Sequence, residues 1–416
     1  MKEPGGLSLA MIVKNEEMFL ADCLRSVQDV VDEMVIVDTG STDATIEIAR
    51  SFGARVIEIE WPHDFSKARN IGLDAVSMPW VLVMDADEEL VADDADKLRQ
   101  AVFHPTADAY NIRIVSVMER AEDISESYVT RVMRAHPALR FRGAIHEQLF
   151  NAIVDAGMSL GQLDVRLTHK GYLGSVMQQR NKQERNRILL EEEVTKHPDD
   201  FYMLWQLAQT YFGTARYDDA IKISQRALKL SSPNSPLWVL AMTTYARSLL
   251  QAGQPKKARR VLQEGQLAHP KYTDFWYLEG VVLFQMKAWG QAEASFRRCL
   301  DIGEAQGYLA TDTGIGGFKS LYRIAQCEIM QGEGKNALAY LLITIKQQPQ
   351  YRSAWRAIFE ILIGSTMGEV LNTIELSVGL DQIINTLSTW PQLDDNEQHL
   401  LECAKEKVQE QNLAGV

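Results

Sequence analysis

Four short apolar runs set the rhythm of the first part of the chain: LSLAMIV at residues 7–13, EMVIVD at 33–38, ARVIEIE at 54–60 and PWVLVMD at 79–85. Their length and β-branched content predict strands, and the intervals between the first three hold helical patterns such as ATIEIARSF at 44–52. Strands alternating with helices predict a doubly wound sheet. The nearly unbroken apolar character of PWVLVMD fits a strand buried on both faces, as inside a parallel sheet. Later segments, AYNIRIVSV at 109–117, SYVTRVMRA at 127–135 and DVRLTHKGY at 164–172, alternate apolar with polar residues, which suits more exposed or antiparallel strands.

After Gly174 the strand signals stop, and a charged helical stretch, QQRNKQERNRILLEEEVTKHP, leads into a different period. Leu207, Ala208, Tyr211, Ala220 and Ala227 align with Trp276, Gly280, Leu283, Ala292 and Phe296, and with Leu321, Ala325, Ala337 and Pro349. The alignment places small residues where the two helices of a hairpin touch. Ala258 and Ala292 lie 34 residues apart, the tetratricopeptide period, while the intervals of 38 from Ala220 to Ala258 and 45 from Ala292 to Ala337 imply insertions. Trp355, 34 positions after Leu321, opens a fifth, degraded unit. The glycines of GEAQGYLATDTGIGGF read as a loop between units, because no Lys-Ser/Thr follows GIGG in the spacing of a phosphate loop. Trp205, Trp238, Trp276 and Trp355 are expected to pack hairpins rather than to form a ligand cage, and LDDNEQHLLECAKEKVQEQ is an amphipathic helix suited to capping the stack. The expected division is an α/β domain over 1–175, a linker helix over 176–197, an all-α tetratricopeptide solenoid over 198–370 and capping helices over 371–416.

Composition narrows the partners. The chain has 416 residues and a formal charge of −13, which argues against a broad basic surface for nucleic acid or an anionic membrane. The segment GGLSLAMIV is too short an apolar run for a targeting signal and is followed by polar KNEE. No run of about 18 apolar residues predicts a spanning helix. Cys23, Cys299, Cys327 and Cys403 are scattered, which suggests reduced, mostly buried thiols in a cytoplasmic protein. Oligomeric state is not legible.

In an open parallel sheet, ligands bind beyond the carboxyl ends of the strands. The first strand exits into Lys14-Asn15-Glu16, the second into DTGSTDAT and the fourth into DADEE. Asp85 and Asp87, two positions apart, point the same way in an extended chain, and like charges that close call for a cation or strong donors. A divalent metal answers that need, and helix capping is the local alternative. Thr42 or Asp43 suits the N-cap of a helix beginning near Ala44. Capping does not account for Asp38, which precedes the turn, nor for polar residues at all of these exits.

At these residues the chain resembles a known family. LSLAMIVKNEE, EMVIVDTGSTDATIEIA, FSKARNIGLDA and VLVMDADEEL occur in the order and spacing of the family 2 inverting glycosyltransferases, which have the GT-A, Rossmann-like nucleotide-diphospho-sugar transferase fold. The resemblance covers about residues 7–175. RFRGAIHEQL and RLTHKGY look like the subgroup of lipopolysaccharide-core glucosyltransferases and peptide S-glycosyltransferases, which often carry tetratricopeptide repeats. The resemblance implies a UDP-sugar donor and the following roles. Asp38 accepts from the uracil imide, Arg69 contacts base or phosphate, and Glu16, with the main chain around Lys14 and Asn15, holds the nucleoside. Asp85 bonds the ribose, and Asp87 binds Mn²⁺ or Mg²⁺, oxygen ligands suiting those ions. His169 completes the metal or diphosphate site, a lone structural histidine being the alternative.

Inversion needs one general base outside the metal cluster to deprotonate the acceptor. Glu147 is the candidate, with His146 orienting it or sharing the task, and a substrate-binding or turn-stabilising role is the alternative for both. A peptide or protein acceptor held in the repeat groove is preferred over lipopolysaccharide or another glycan. Two rival readings account for less of the pattern. A phosphatase of the haloacid-dehalogenase class also carries Asp-x-Asp after an apolar strand, but near the start of its domain and without Glu88-Glu89 behind it. A non-enzymatic repeat scaffold does not account for Asp38, Arg69, Asp85 and Asp87 occurring together.

Overall fold

The structure, a computed structural model, describes residues 5–117, 124–169, 176–304 and 312–414. It forms two compact units, Met1–Arg216 and Tyr217–Val416.

The first unit contains β1 (Leu7–Val13), α1 (Leu20–Val27), β2 (Glu33–Asp38), α2 (Thr45–Ser51), β3 (Arg55–Glu58), α3 (Phe65–Ala75), β4 (Trp80–Val83), β5 (Glu88–Leu90), α4 (Ala95–Phe103), β6 (Ala109–Val117), β7 (Ile124–Arg134), α5 (Phe150–Asp155), β8 (Leu160–His169), α6 (Val176–Lys196) and α7 (Phe201–Gly213). The strands make one eight-stranded sheet in the order β3-β2-β1-β4-β7-β6-β8-β5. The first four are parallel, as their apolar runs predict, so their carboxyl ends share one edge. The remainder is mixed: β7 is antiparallel to β4 and β6, β8 is parallel to β6, and β5 is antiparallel to β8.

Alternation along β1 separates two cores. Leu7, Leu9, Met11 and Val13 pack with Leu20, Cys23, Leu24 and Val27 of α1 on one face, while Ala10 joins Val81, Val83, Leu73 and Met133 on the other. Full burial of an aliphatic side chain is worth roughly 1.5–3 kcal/mol, so this double-sided burial makes the sheet a firm base for its edge loops. The end of DVRLTHKGY, from Lys170 onward, lies outside the described residues.

The second unit is all helical: α8 (Tyr217–Lys229), α9 (Pro236–Gln251), α10 (Pro255–Ala268), α11 (Thr273–Gln285), α12 (Trp289–Ile302), α13 (Phe318–Gln331), α14 (Gly334–Gln347), α15 (Arg352–Ile361), α16 (Met367–Val378), α17 (Leu380–Ser388) and α18 (Asp395–Ala414). The alanines that marked the repeat, Ala220, Ala258, Ala292 and Ala337, are all fully buried. Close approach explains the small residues: a Cβ on Gly280 would sit 2.6 Å from the Phe296 ring, and one on Gly265 2.7 Å from Phe275. Trp355 is fully buried, with its indole N–H on the Pro349 carbonyl at 2.8 Å. Gly314–Gly317 form a turn before α13, while residues 305–311 of the interval read as a loop lie outside the described residues. Leu400, Leu401 and Ala404 of α18 are buried in the terminal core, where Arg352 is ion-paired with fully buried Glu397. Among the described residues no helix is long and apolar enough to cross a membrane.

Candidate functional site

The loops after β1 and β2 are laced together by side chains. Asn15, in the left-handed region at φ 55°, donates its backbone N–H to Ser41 Oγ at 2.9 Å, and its Oδ1 accepts from the Thr42 N–H at 2.8 Å. The Glu16 N–H donates to Thr45 Oγ1 at 2.7 Å, and the Ala44 N–H to Glu17 Oε2 at 3.1 Å. Asp43 Oδ1 accepts from the Thr45 N–H at 3.0 Å, so it serves the first turn of α2 although Ala44 occupies the cap position itself. Lys14 and Asn15 are exposed on this rim and Glu16 is half-buried.

Asp38 ends β2 and is 1% exposed. Its Oδ1 accepts from the N–H groups of Gly40 and Ser41, both at 2.9 Å. Gly40, at φ 99°, supplies the left-handed turn that brings those amides back. Oδ2 is buried and has no hydrogen-bond partner among the described residues. An unpaired buried acceptor costs about 1–3 kcal/mol, which a ligand N–H placed there would recover.

A chain of paired charges, most of them buried, crosses the middle of the edge. Asp64 caps α3 by accepting from the Lys67 N–H at 3.0 Å, and one turn further Arg69 is only 9% exposed. Arg69 donates through Nη2 to Asp85 Oδ1 at 2.6 Å and through Nε to Glu147, with its guanidinium 5.5 Å from the Phe141 ring centre. Arg131 of β7 donates through Nη2 to Asp85 Oδ2 at 2.8 Å and to Glu88 Oε1 at 2.7 Å. Burial pushes the Asp85 carboxyl up, but Arg131 and Arg69 outweigh it and hold the group well below the usual carboxylate range. Burial dominates at Glu88, which is raised to about 7 by desolvation and by Asp85 despite Arg131.

Beside this chain, Asp87 Oδ2 lies 3.2 Å from His169 Nε2, 82 positions away in sequence. The contact follows from sheet register, because Glu88 of β5 is paired with His169 of β8. The hydrogen bond to Asp87 raises the His169 pKa against the opposing effect of burial.

The loop carrying His146 and Glu147 is closed by backbone hydrogen bonds in both directions between Arg142 and Gln148, at 3.1 and 3.0 Å. Its Ala144 carbonyl accepts from the Phe65 N–H at 2.8 Å, and Gln148 Nε2 donates to the Tyr202 hydroxyl of α7 at 2.5 Å. Gly143, at φ 102°, holds a conformation that side-chain-bearing residues rarely adopt, and a Cβ there would meet the Met203 methyl of α7 at 2.9 Å. His146 is itself left-handed at φ 50°, and burial lowers its pKa with Glu147 opposing. The Glu147 carboxylate goes to Arg69.

The structure therefore gathers Asn15, Glu16 and Asp38 at one end of the edge, links Arg69, Asp85 and Glu147 in one network, and sets Asp87 against His169. No sequence signal assigns a role to Arg131, Glu88 or Tyr202. Arg131 lies at a break in register between β6 and β7, where Tyr110 pairs with Val132 and Asn111 with Thr130, so period-two alternation does not report its direction.

No group of three or more His, Cys, Asp or Glu side chains arranged to hold a metal occurs among the described residues. Both oxygens of Asp85 are engaged by guanidinium groups, which leaves Asp87 and His169 as the two donors. A carboxylate with an imidazole can hold a divalent cation together with phosphate oxygens and water.

A mixed sheet whose parallel strands end at an edge with an unpaired buried acceptor, a carboxylate–imidazole pair and a shared-charge network defines an α/β domain with a polar rim. Comparison with known proteins makes this specific. Residues 8–153 match the family described as Glycosyl transferase family 2. Residues 199–265 and 244–306 match tetratricopeptide repeat families. The chain carries a family 2 glycosyltransferase domain joined to tetratricopeptide repeats. It is 35% identical over 231 residues to a TPR repeat-containing protein of Synechococcus elongatus, covering 54% of this chain and 55% of that one. It is 26% identical over 196 residues to the prophage-derived glycosyltransferase SunS of Bacillus subtilis, covering 47% and 46%. An uncharacterized glycosyltransferase of Rickettsia typhi is 33% identical over 125 residues, covering 29% and 42%. The chain thus spans about half the length of the first two of these relatives.

Proposed function

We propose that the protein is an inverting glycosyltransferase that moves a hexose or N-acetylhexosamine from a UDP-sugar to a peptide or protein side chain. The observation that carries the reading is the buried, unpaired Oδ2 of Asp38, an acceptor facing no donor of its own, at the edge where the domain's other polar strand ends meet. In this reading Asp38 takes the uracil imide N–H, Lys14, Asn15 and Glu16 border the nucleoside, and Arg69 contacts base or phosphate. Asp85 takes a ribose hydroxyl through its remaining lone pairs, its orientation fixed by Arg69 and Arg131.

Asp87 and His169 would hold Mn²⁺ or Mg²⁺, whose chemistry is to neutralise the charge that grows on the departing diphosphate. Glu147 takes the proton from the attacking acceptor atom. Its ion pair with Arg69 aims the carboxylate, and His146 lies in the same loop. Residues 1–175 carry the chemistry, 176–197 link, 198–370 provide hairpins of the kind that grip extended polypeptide, and 371–416 cap them. Four free cysteines accord with a cytoplasmic setting, where thiols stay reduced.

The test is to incubate the protein with radiolabelled UDP-sugars and lysate from its own cell, and in parallel to measure melting with UDP and Mn²⁺. Label transferred to protease-sensitive material is the expected result. Label on glycan instead would move the acceptor class, and no shift in melting with any nucleoside diphosphate would overturn the transferase reading.

A further inference from the structure

We infer that Arg131 is a positioning residue that sets the aim of Asp87 by clamping the turn on which Asp87 sits. The inference rests on the donor-and-metal reading above. The turn Asp85-Ala86-Asp87-Glu88 is closed by its own hydrogen bonds: the Asp85 N–H donates to Glu88 Oε2 at 2.8 Å, and the Glu88 N–H donates to the Asp85 carbonyl at 3.1 Å. Arg131 reaches both feet of this turn with one nitrogen, Nη2, bonding Asp85 at 2.8 Å and Glu88 at 2.7 Å. Glu88 is 2% exposed and the Arg131 side chain 11%, so the Glu88 contact is shielded from solvent, while Asp85 is 36% exposed.

Backbone geometry supports a dedicated role. Arg131 is the residue skipped when the β6–β7 register shifts between Tyr110 and Asn111, and such bulges turn a side chain out of the regular alternation. On the far side the turn is fixed by pairing of Glu88 with His169, the partner of Asp87. Asp87 thus lies between two anchored points, and removing the Arg131 anchor frees the turn to swing relative to His169. Groups that orient a ligand through a second contact typically change metal affinity by about 10–100-fold when lost.

The test uses the full chain and UDP as probe, titrated calorimetrically with and without Mn²⁺, with bound Mn²⁺ counted by electron paramagnetic resonance. Arg131→Met alone strands two acidic groups, so the informative variant is the charge-balanced pair Arg131→Met with Glu88→Gln. The expected result is a folded protein in which the gain from Mn²⁺ falls tenfold or more, a larger loss than any in metal-free UDP affinity that follows from loosening Asp85. Arg131→Lys should recover most of the gain, because both contacts come from a single nitrogen that an ammonium can replace. A folded double variant that keeps the full Mn²⁺ gain overturns the inference, and so does a wild type that binds UDP with no gain from Mn²⁺. A wild type that binds no UDP under either condition brings down the donor reading itself.

Discussion

Substituting Asp38 by asparagine tests the donor site at a single atom. Asparagine keeps an oxygen for the Gly40 and Ser41 amides, which Asp38 Oδ1 serves at 2.9 Å each, so the turn survives. What changes is the other position: the unpaired acceptor Oδ2 becomes an NH₂ donor. In the proposed reading uracil presents N3–H, a donor, to that point, where cytosine would present a bare N3 acceptor. A hydrogen bond to an ionised group is worth roughly 1.5–3 kcal/mol, and each 1.4 kcal/mol is a factor of ten. Asp38→Asn should therefore weaken UDP by roughly 10–150-fold and at the same time strengthen CDP, so that the ratio of the two affinities moves by more than either alone. Matched calorimetric titrations of UDP and CDP, with circular dichroism to confirm the fold, read this directly. A folded Asp38→Asn protein that binds UDP within about twofold of wild type and keeps the same UDP-to-CDP ratio refutes the assignment of Asp38 to the base.

Three further outcomes are expected. Asp87→Ala should abolish the Mn²⁺-dependent part of UDP binding in the same titration; an unchanged Mn²⁺ gain removes Asp87 from the site. Glu147→Gln should leave UDP affinity nearly intact and lower turnover by about a hundredfold or more, checked by product release per enzyme, and near-normal turnover assigns the base elsewhere. In the helical unit, Asp274 is 9% exposed, and burial together with Asp312 raises it to about 7, with Arg247 acting weakly against them and Tyr272 alongside. Its folded pKa lies above the ordinary 3.8, so the native state binds the extra proton, and this group's contribution to stability rises as pH falls from 7 towards 4 by about 4 kcal/mol at most. Asp274→Asn should stabilise the protein at pH 8 and remove that slope from the difference between variant and wild-type melting; a parallel pair of curves refutes it.

How much of this was legible in the sequence depended on whether a residue's environment is local. β1 to β4 were visible because strands buried on both faces need continuous apolar runs. The repeat was visible because Ala220, Ala258, Ala292 and Ala337 sit where helices touch and larger side chains do not fit. β5 was not visible: Glu-Glu-Leu is short and acidic, and Glu88 is buried only because Arg131, 43 positions later, meets it there. The partnership of Arg69 with Glu147 spans 78 positions and that of Asp87 with His169 spans 82, and only folding brings them together. Family motifs pointed to these residues, but not to the contacts that orient them.

The helix that opens the hairpin array also forms the floor beneath the glutamate loop, since Tyr202 and Met203 of α7 underlie Gln148 and Gly143. Excision of the α/β half at residue 197, where the charged helix ends, would strip that floor away and leave Gly143-Ala144-Ile145-His146-Glu147 held from one side only. A fragment ending at Arg216 retains it. Anyone dissecting the protein should expect the shorter piece to be protease-labile around Gly143 and the longer one to resist.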